Sequence, residues 1–379
     1  MDFPTNLESK IHTRKQQDAF RETHPSSGLV DFCSNDYLGF SSSASIFNET
    51  HQMLVDRNII RNGATGSRLI SGNHDLYTEC ESVISVFHQS ESALVYNSGY
   101  DANLGFFSCV PQRNDVILYD ELCHASIRDG IQLSHANAYK FAHNDLDDLE
   151  HKIKQNISQG RNIYVATESV FSMDGDSPDL ENLVAVAESY HCYAVIDEAH
   201  ALGVFGENGF GLTQHLNLQH RIFARIMTFG KGLGCHGAAI LGSAELRDYL
   251  VNFSRSFIYT TGLPPHSTAT IITAYKHLEI EKEAIRKLNE NILFFNREKN
   301  QIGLKQLFVR NKSAIQSAII PGNEKVKQIA LKLRQNGFDI RPMLSPTVPE
   351  GQERLRICLH SFNTEKEMIK VLQLLATAF

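Results

Sequence analysis

Five short apolar runs, each ending in polar residues and each followed by a stretch with helical spacing, constrain this chain more than any other feature. They are Ala93-Leu94-Val95-Tyr96, Val116-Ile117-Leu118-Tyr119, Ile163-Tyr164-Val165-Ala166, Ala194-Val195-Ile196 and Ile226-Met227-Thr228-Phe229. Short continuous apolar runs suit strands buried on both faces, and the helical stretches supply the crossovers that parallel strands need. The expected fold class is α/β, with a mostly parallel sheet covered by helices. The runs end in Asn97-Ser98, Asp120-Glu121, Thr167-Glu168-Ser169, Asp197-Glu198 and Gly230-Lys231. Open α/β sheets bind ligands at the carboxyl ends of their strands, so these five ends point to one crevice.

At 379 residues and 42% hydrophobic content the chain is long enough for two domains with a sizeable core. Residues 1–45 read as an N-terminal arm, with a polar helix from about Ser9 to Arg21 broken by His24-Pro25-Ser26-Ser27-Gly28. Residues 46–265 form the expected large domain. After Pro264-Pro265 a connecting helix spans 266–296, and 297–379 form a smaller C-terminal α/β domain. Its expected strands are Ala314 to Ile320, Phe338-Asp339-Ile340 and Leu355 to Leu359, with helices near Glu324 to Gln335 and Thr364 to Ala378.

The charge balance argues against two classes of partner. A net charge of −7, dispersed without a basic block, does not suit nucleic acid. No segment reaches the ~18 uninterrupted apolar residues of a membrane helix, and Met1 to Asn6 carry no apolar leader, so a cytoplasmic protein is expected. The seven cysteines are odd in number and scattered, as reduced thiols are. Cys123-His124, His191-Cys192 and Cys235-His236 are adjacent pairs, whereas zinc ligands are spaced by two to four residues, so no metal is expected.

Asp197 and Lys231 carry the chemistry. An isolated aspartate is ordinarily a turn residue and an isolated lysine a solvated amine. Here Asp197 ends a buried run, where it can hold the protonated nitrogen of a pyridine ring, and Lys231 follows another run within Gly230-Lys231-Gly232-Leu233-Gly234. The pair reads as a pyridoxal phosphate site, and side chains at Gly230, Gly232 or Gly234 are expected to fill space that cofactor or substrate needs. A Walker A loop fails, because Arg225 stands where it needs glycine and Gly232 where it needs Ser or Thr. Gly232-x-Gly234-x-x-Gly237 matches a dinucleotide fingerprint in letters only, since Gly237 to Gly242 reads as a strand and the fingerprint must open a helix.

Further segments are specific: Ser34-Asn35-Asp36-Tyr37-Leu38-Gly39, Gly66-Ser67-Arg68-Leu69-Ile70-Ser71-Gly72, Phe171-Ser172-Met173-Asp174-Gly175-Asp176 and Ile258-Tyr259-Thr260-Thr261-Gly262-Leu263-Pro264-Pro265. With Lys231, Asp197 and His200, they make the chain resemble the α-oxoamine synthases of the fold-type I pyridoxal phosphate transferases, from about Arg14 to the C-terminus. The resemblance implies that Lys231 bonds the cofactor aldehyde, Asp197 holds the ring nitrogen and His124 stacks on the ring. It further implies that Ser98, Gly99, Tyr100 and Thr228 hold the phosphate, and that Ser172 and His200 bond the phenolic oxygen side. Thr260 and Thr261 match a pair that reaches the partner subunit's phosphate, which implies a homodimer with shared active sites. Arg21, Asn35, Thr347 and Arg356 match positions facing the acyl chain or the amino-acid carboxylate, a role that suits a guanidinium.

The implied reaction is a decarboxylative condensation of L-alanine with a pimeloyl thioester carried by coenzyme A or an acyl carrier protein. Glycine acetyltransferase, 5-aminolevulinate synthase and serine palmitoyltransferase share the same cofactor motifs, and pocket shape separates them. From other classes, a nicotinamide-binding oxidoreductase would use the glycine cluster for pyrophosphate, and a non-catalytic module would keep the fold without turnover.

Overall fold

The computed structural model describes residues 3–23, 28–158 and 160–378; the helix breaker expected at His24 to Ser27 lies outside them, as do Met1 and Asp2. Helix α1 (Thr5–Gln16) and the two-residue strand β1 (Val30–Asp31) come first. The helix starts earlier than Ser9, directly after Pro4, and none of its side chains is buried.

One compact unit comprises Asn35–Ser172 and Asp176–Leu288. It contains in turn α2 (Ala44–Asp56), α3 (Asp75–Phe87), β2 (Ser92–Tyr96), α4 (Gly99–Cys109), β3 (Val116–Asp120), α5 (Ala125–Leu133), β4 (Asn137–Phe141), α6 (Leu146–Asn156) and β5 (Ile163–Glu168). There follow α7 (Leu180–Ser189), β6 (Tyr193–Asp197), α8 (Leu212–His215), β7 (Ala224–Thr228), β8 (Ala238–Gly242), α9 (Ala244–Phe253), α10 (Arg255–Ile258) and α11 (Pro265–Ile280). The seven strands lie in the order β2-β8-β7-β6-β5-β3-β4. Every neighbouring pair is parallel except the two made by β8, which runs against both β2 and β7.

Alternate residues of the central strands feed two separate cores. Ile117, Tyr164, Ala166 and Val195 face one with Phe106 and Ile127, whereas Val116, Leu118, Val165, Ala194 and Ile196 face the other with Leu149 and Leu183. Both faces being covered, the strands read as unbroken apolar runs. All five expected strands form, β7 beginning at Ala224. Gly237 indeed leads into a strand, β8, so the fingerprint context fails as expected. Strand β4 was not legible, because it is the sheet edge and four of its five residues are exposed.

At the carboxyl end of β3, Asp120 accepts from His143 Nδ1 at 2.9 Å, and His143 Nε2 bonds Asp176 at 2.9 Å. Burial opposes charge on this imidazole, but the hydrogen bonds and charges of the two carboxylates outweigh it and raise its pKa to about 10. It therefore stands as a cation holding Asp176, whose backbone carbonyl accepts from Phe171 N–H at 2.9 Å and closes the turn that carries Ser172.

The second unit comprises Met1–Ser34, Met173–Gly175 and Asn289–Phe379. The expected single helix over 266–296 is two helices, α11 and α12 (Lys282–Gln301), parted at Glu281. Beyond them lie β9 (Ile315–Ile319), α13 (Asn323–Gln335), β10 (Phe338–Asp339), β11 (Arg341–Met343), β12 (Arg354–Cys358) and α14 (Glu365–Ala376). Strands β11, β12 and β9 form an antiparallel sheet, and β1 pairs in parallel with β10, which joins the N-terminal stretch to this unit. A capping box between Thr364 and Glu367 starts α14. Within the same unit Arg354 pairs with Asp174, and Ser317 donates to the Met173 carbonyl. Gly175 has a φ of +73°, and a Cβ there would meet the Ile315 carbonyl oxygen at 2.3 Å, so only glycine fits. No helix among the described residues is long and apolar enough to cross a membrane.

Candidate active site

The carboxyl ends of the parallel strands open into a cavity of about 260 Å³ in the larger unit, lined by Ser98, His124, Glu168, Asp197, Thr228 and Lys231 among others. Its floor is Asp197, the last residue of β6 and 4% exposed. One carboxylate oxygen accepts from Asn103 Nδ2 at 2.7 Å and the other from the Ala199 N–H at 2.8 Å. Both oxygens of this buried carboxylate are thus fixed, a geometry suited to a cationic partner. Asn103 also donates to Ser126 Oγ at 3.0 Å, while its own Oδ1 is buried without a partner.

His124 forms the adjoining wall. Its Nδ1 accepts from the Ser126 N–H at 3.2 Å and lies 2.8 Å from Ser126 Oγ, so the ring caps α5 with an unprotonated nitrogen. Burial lowers its pKa, the Lys231 charge adds to this, and Asp197 opposes it. A neutral imidazole held by two bonds to one residue presents a fixed face.

Lys231 ends the opposite side. Its Nζ lies 2.8 Å from His200 Nε2, and His200 Nδ1 lies 2.6 Å from the hydroxyl of Tyr37, which reaches Asn35 Oδ1 at 3.3 Å. The chain of bonds has two consistent states. As an ammonium, Lys231 donates to Nε2, and Nδ1–H donates to Tyr37. As a free amine it accepts from Nε2–H, and the Tyr37 hydroxyl turns to donate to Nδ1. The buried Tyr37 thus lets His200 serve either form of the lysine.

The first turn of α4 supplies the remaining wall. Ser98 is its N-cap, its Oγ accepting from Asp101 N–H at 3.1 Å, and the Gly99 and Tyr100 amides in the same turn have no helical carbonyl to donate to. Such an end favours an anion. It is pressed against β7: a Cβ on Gly99 would meet Thr228 Cγ2 at 2.2 Å. A lysine amine, a fixed carboxylate, a neutral imidazole and a helix N-terminus around one cavity fit a group bearing an aldehyde, a protonatable ring nitrogen and a phosphate.

Of the residues expected from sequence, Asn35, Ser98, Gly99, Tyr100, His124, Asp197, Thr228 and Lys231 line this cavity, and His200 bonds Lys231 directly. Ser172 is half-buried in the turn after β5. Thr260 Oγ1 and the Thr261 carbonyl both accept from Asn97 Nδ2, at 3.1 and 2.7 Å. Arg21 and Thr347 meet in the second unit, where the guanidinium donates to Thr347 Oγ1 at 2.8 Å beside a cavity lined by Met343 and Leu344. Arg356 is buried in β12, 3.1 Å from Cys358 Sγ.

Sequence reasoning missed Asn103, Ser126, Tyr37, Glu168 and His236. Glu168 stood in plain view at a strand end, whereas Asn103 and Ser126 lie inside helices whose spacing carries no chemical signal. The reason given for the glycines also changes. A Cβ on Gly232 would strike the Leu202 carbonyl at 2.2 Å, and one on Gly234, at φ +59°, would strike the Ser41 nitrogen at 2.1 Å. These two are glycine because the protein's own backbone fills the space. Of these three glycines Gly230, where a Cβ would find nothing nearer than 3.6 Å, is the one that lines the cavity.

The family model for aminotransferase class I and II matches residues 27–375. The chain is 40% identical to the 8-amino-7-oxononanoate synthase of Emericella nidulans, over 93% of this chain and 89% of that one. It is 35% identical to a putative 8-amino-7-oxononanoate synthase of Halalkalibacterium halodurans, over 97% and 94%. Among solved structures, a serine palmitoyltransferase of S. paucimobilis superposes with a TM-score of 0.90 at 24% identity, covering 100% of this chain and 98% of that one, which speaks to fold alone. An 8-amino-7-oxononanoate synthase of Francisella tularensis superposes with a TM-score of 0.78 at 28% identity, covering 92% and 97%.

The glycines separate folding from ligand binding. Gly232→Ala should destabilise the cofactor-free chain by roughly 1 to 3 kcal/mol, the usual cost of overpacking, whereas Gly230→Ala should melt with the parent and retain pyridoxal phosphate less well. Thermal melting and dialysis check this. A Gly230→Ala chain that melts below Gly232→Ala would contradict it.

Proposed function

Since the chain belongs to the aminotransferase class I and II family, in its 8-amino-7-oxononanoate synthase branch, we propose that it condenses L-alanine with a pimeloyl thioester to give 8-amino-7-oxononanoate and carbon dioxide. It is a pyridoxal-phosphate-dependent α-oxoamine synthase of biotin synthesis. The observation that carries the reading is the placement of the Asp197 carboxylate, the Lys231 amine and the first turn of α4 around one cavity. When bound, pyridoxal phosphate supplies an electron-poor ring that takes up the electron pair left on the amino acid's Cα.

The residues then divide the work. Lys231 Nζ would hold the cofactor's aldehyde carbon and, as the free amine, would be the base that removes the Cα proton of alanine. His200, itself held by Tyr37, accommodates the ammonium and the free amine in turn. Asp197 keeps a proton on the ring nitrogen, and Asn103 and Ala199 keep Asp197 pointed at it. His124 would lie against the ring. Ser98, Gly99, Tyr100 and Thr228 hold the phosphate, and Ser172 and His200 the phenolic oxygen. Arg21, Asn35, Thr347 and Arg356 grip the acyl chain and the amino-acid carboxylate. In the net reaction a bond forms from Cα to the acyl carbonyl as the C–S bond breaks and the thiol leaves. The bond from Cα to its carboxylate then breaks, carbon dioxide departs and Cα regains a proton.

The test offers L-alanine, glycine and L-serine, each with pimeloyl, acetyl and palmitoyl thioesters on coenzyme A and on an acyl carrier protein. The product of alanine and the pimeloyl group should dominate by mass. Preference for glycine or serine would place the chain with another α-oxoamine synthase, and no condensation at all would sink the reading.

The functional unit in this reading is a cytoplasmic homodimer whose Thr260 and Thr261 reach the phosphate in the partner subunit. Support comes from the loops around them. Ile70 is 88% and Tyr259 73% exposed, on two segments joined by the Gly262 N–H to Gly66 carbonyl bond of 3.0 Å, an apolar surface that an isolated chain would leave in water. Mixing inactive Lys231→Ala subunits with subunits carrying Thr260→Ala and Thr261→Ala should restore one complete site and measurable turnover. No recovery in verified mixed dimers would remove the shared site.

A further inference from the structure

A second carboxylate stands in the wall of the cavity beside Asp197. Glu168 is the last residue of β5, it is 2% exposed, and it lies in register with Asp197 on the neighbouring parallel strand. In-register residues of parallel strands project to the same face, and both side chains line the same cavity. Two carboxylates this placed and this buried do not both ionise readily, because each charge raises the cost of the other. Asp197 has the bonds that favour an anion, from Asn103 Nδ2 and the Ala199 N–H. Glu168 has one such bond, from the His124 N–H to its Oε1 at 2.7 Å.

We propose that Glu168 is held as a neutral carboxylic acid, a positioning residue that anchors the His124 backbone while leaving Asp197 the only anion on that wall. The division of charge has a purpose for the Lys231 chemistry. A second anion facing the lysine would hold it as an ammonium, and only the free amine attacks an aldehyde. A neutral acid keeps the hydrogen bond that fixes His124 without adding that charge.

The electrostatic surroundings agree. Burial is the largest influence on Glu168, Asp197 reinforces it, and Lys231, the His124 N–H and Asp120 act in smaller measure, the first two favouring the charge and the last opposing it; together they push its pKa up to about 8. The titratable groups facing it are Asp120 at the end of β3, Cys123 and His124 ahead of α5, Asp197 on β6 and Lys231 beyond β7. The sign of the stability effect follows. The unfolded chain ionises Glu168 at the ordinary carboxylate value and the folded chain only near 8, so this group costs increasing stability as pH rises between the two.

The inference rests on the cofactor-site reading for its purpose, but its test begins on the chain freed of cofactor, so the two fail separately. Infrared spectra of the wild-type chain at pH 7 should show a protonated-carboxyl carbonyl band that disappears by pH 9 and is missing from Glu168→Gln. The Gln chain should gain melting temperature over wild type as pH rises from 5 to 8, a slope that a merely structural side chain would not produce. On addition of pyridoxal phosphate, the pH profile of its capture by Lys231 should lose its step near pH 8 in Glu168→Gln. If Glu168→Gln does not fold, Glu198→Gln decides the matter, since it removes another buried glutamate whose pKa burial raises and should leave the Glu168 band in place. Absence of the band at pH 7, or its loss in Glu198→Gln alone, would overturn the proposal. Failure of borohydride to label Lys231 would instead overturn the cofactor reading and leave the Glu168 result standing.

Discussion

The hydrogen bond from Asn103 to Asp197 is the contact on which the site depends. It ties α4, whose first turn lines the cavity, to the end of β6, where the carboxylate stands. Through Ser126 the same asparagine reaches α5 and His124, so one buried amide sets the relative positions of helix end, carboxylate and imidazole. The sheet makes this economical. Parallel strands deliver their carboxyl ends to one edge, and helices that start there aim their free amides inward.

The lysine side is governed by a different constraint, that a basic amine must change protonation state without losing its partner. The line from Lys231 through His200 to Tyr37 meets it, because an imidazole can exchange donor and acceptor roles between its two nitrogens and a hydroxyl can turn to match. A non-titrating donor in place of His200 would serve one form of the lysine only. The wall opposite distinguishes two similarly buried carboxylates by their hydrogen bonds, Asp197 being rich in those that favour an anion and Glu168 poor in them.

Much of this was legible in the sequence, for physical reasons that also mark its limits. The central strands were visible because both their faces are buried, which leaves no polar residue to interrupt the run. Strand β4 was hidden because edge exposure admits Asn137 and Lys140. The antiparallel course of β8 has no signature in its own residues, and direction is set by the connection that precedes it. Asp197 and Lys231 were found by the strand-end rule, which pointed equally to Glu168. Asn103 could not be found that way, since its importance comes from a contact between residues distant in sequence. Gly232 and Gly234 were rightly singled out for the wrong reason, as close approach to the chain's own backbone and close approach to a ligand leave the same letter.

In the proposed site Lys231 is the residue that holds the cofactor aldehyde. The most direct measurement is to load the purified chain with pyridoxal phosphate, reduce it with borohydride, digest it and locate the added mass by peptide sequencing. One phosphopyridoxyl group per chain is expected, on Lys231, with loss of the visible absorption band. A label on another lysine, or a band that survives reduction, would contradict it.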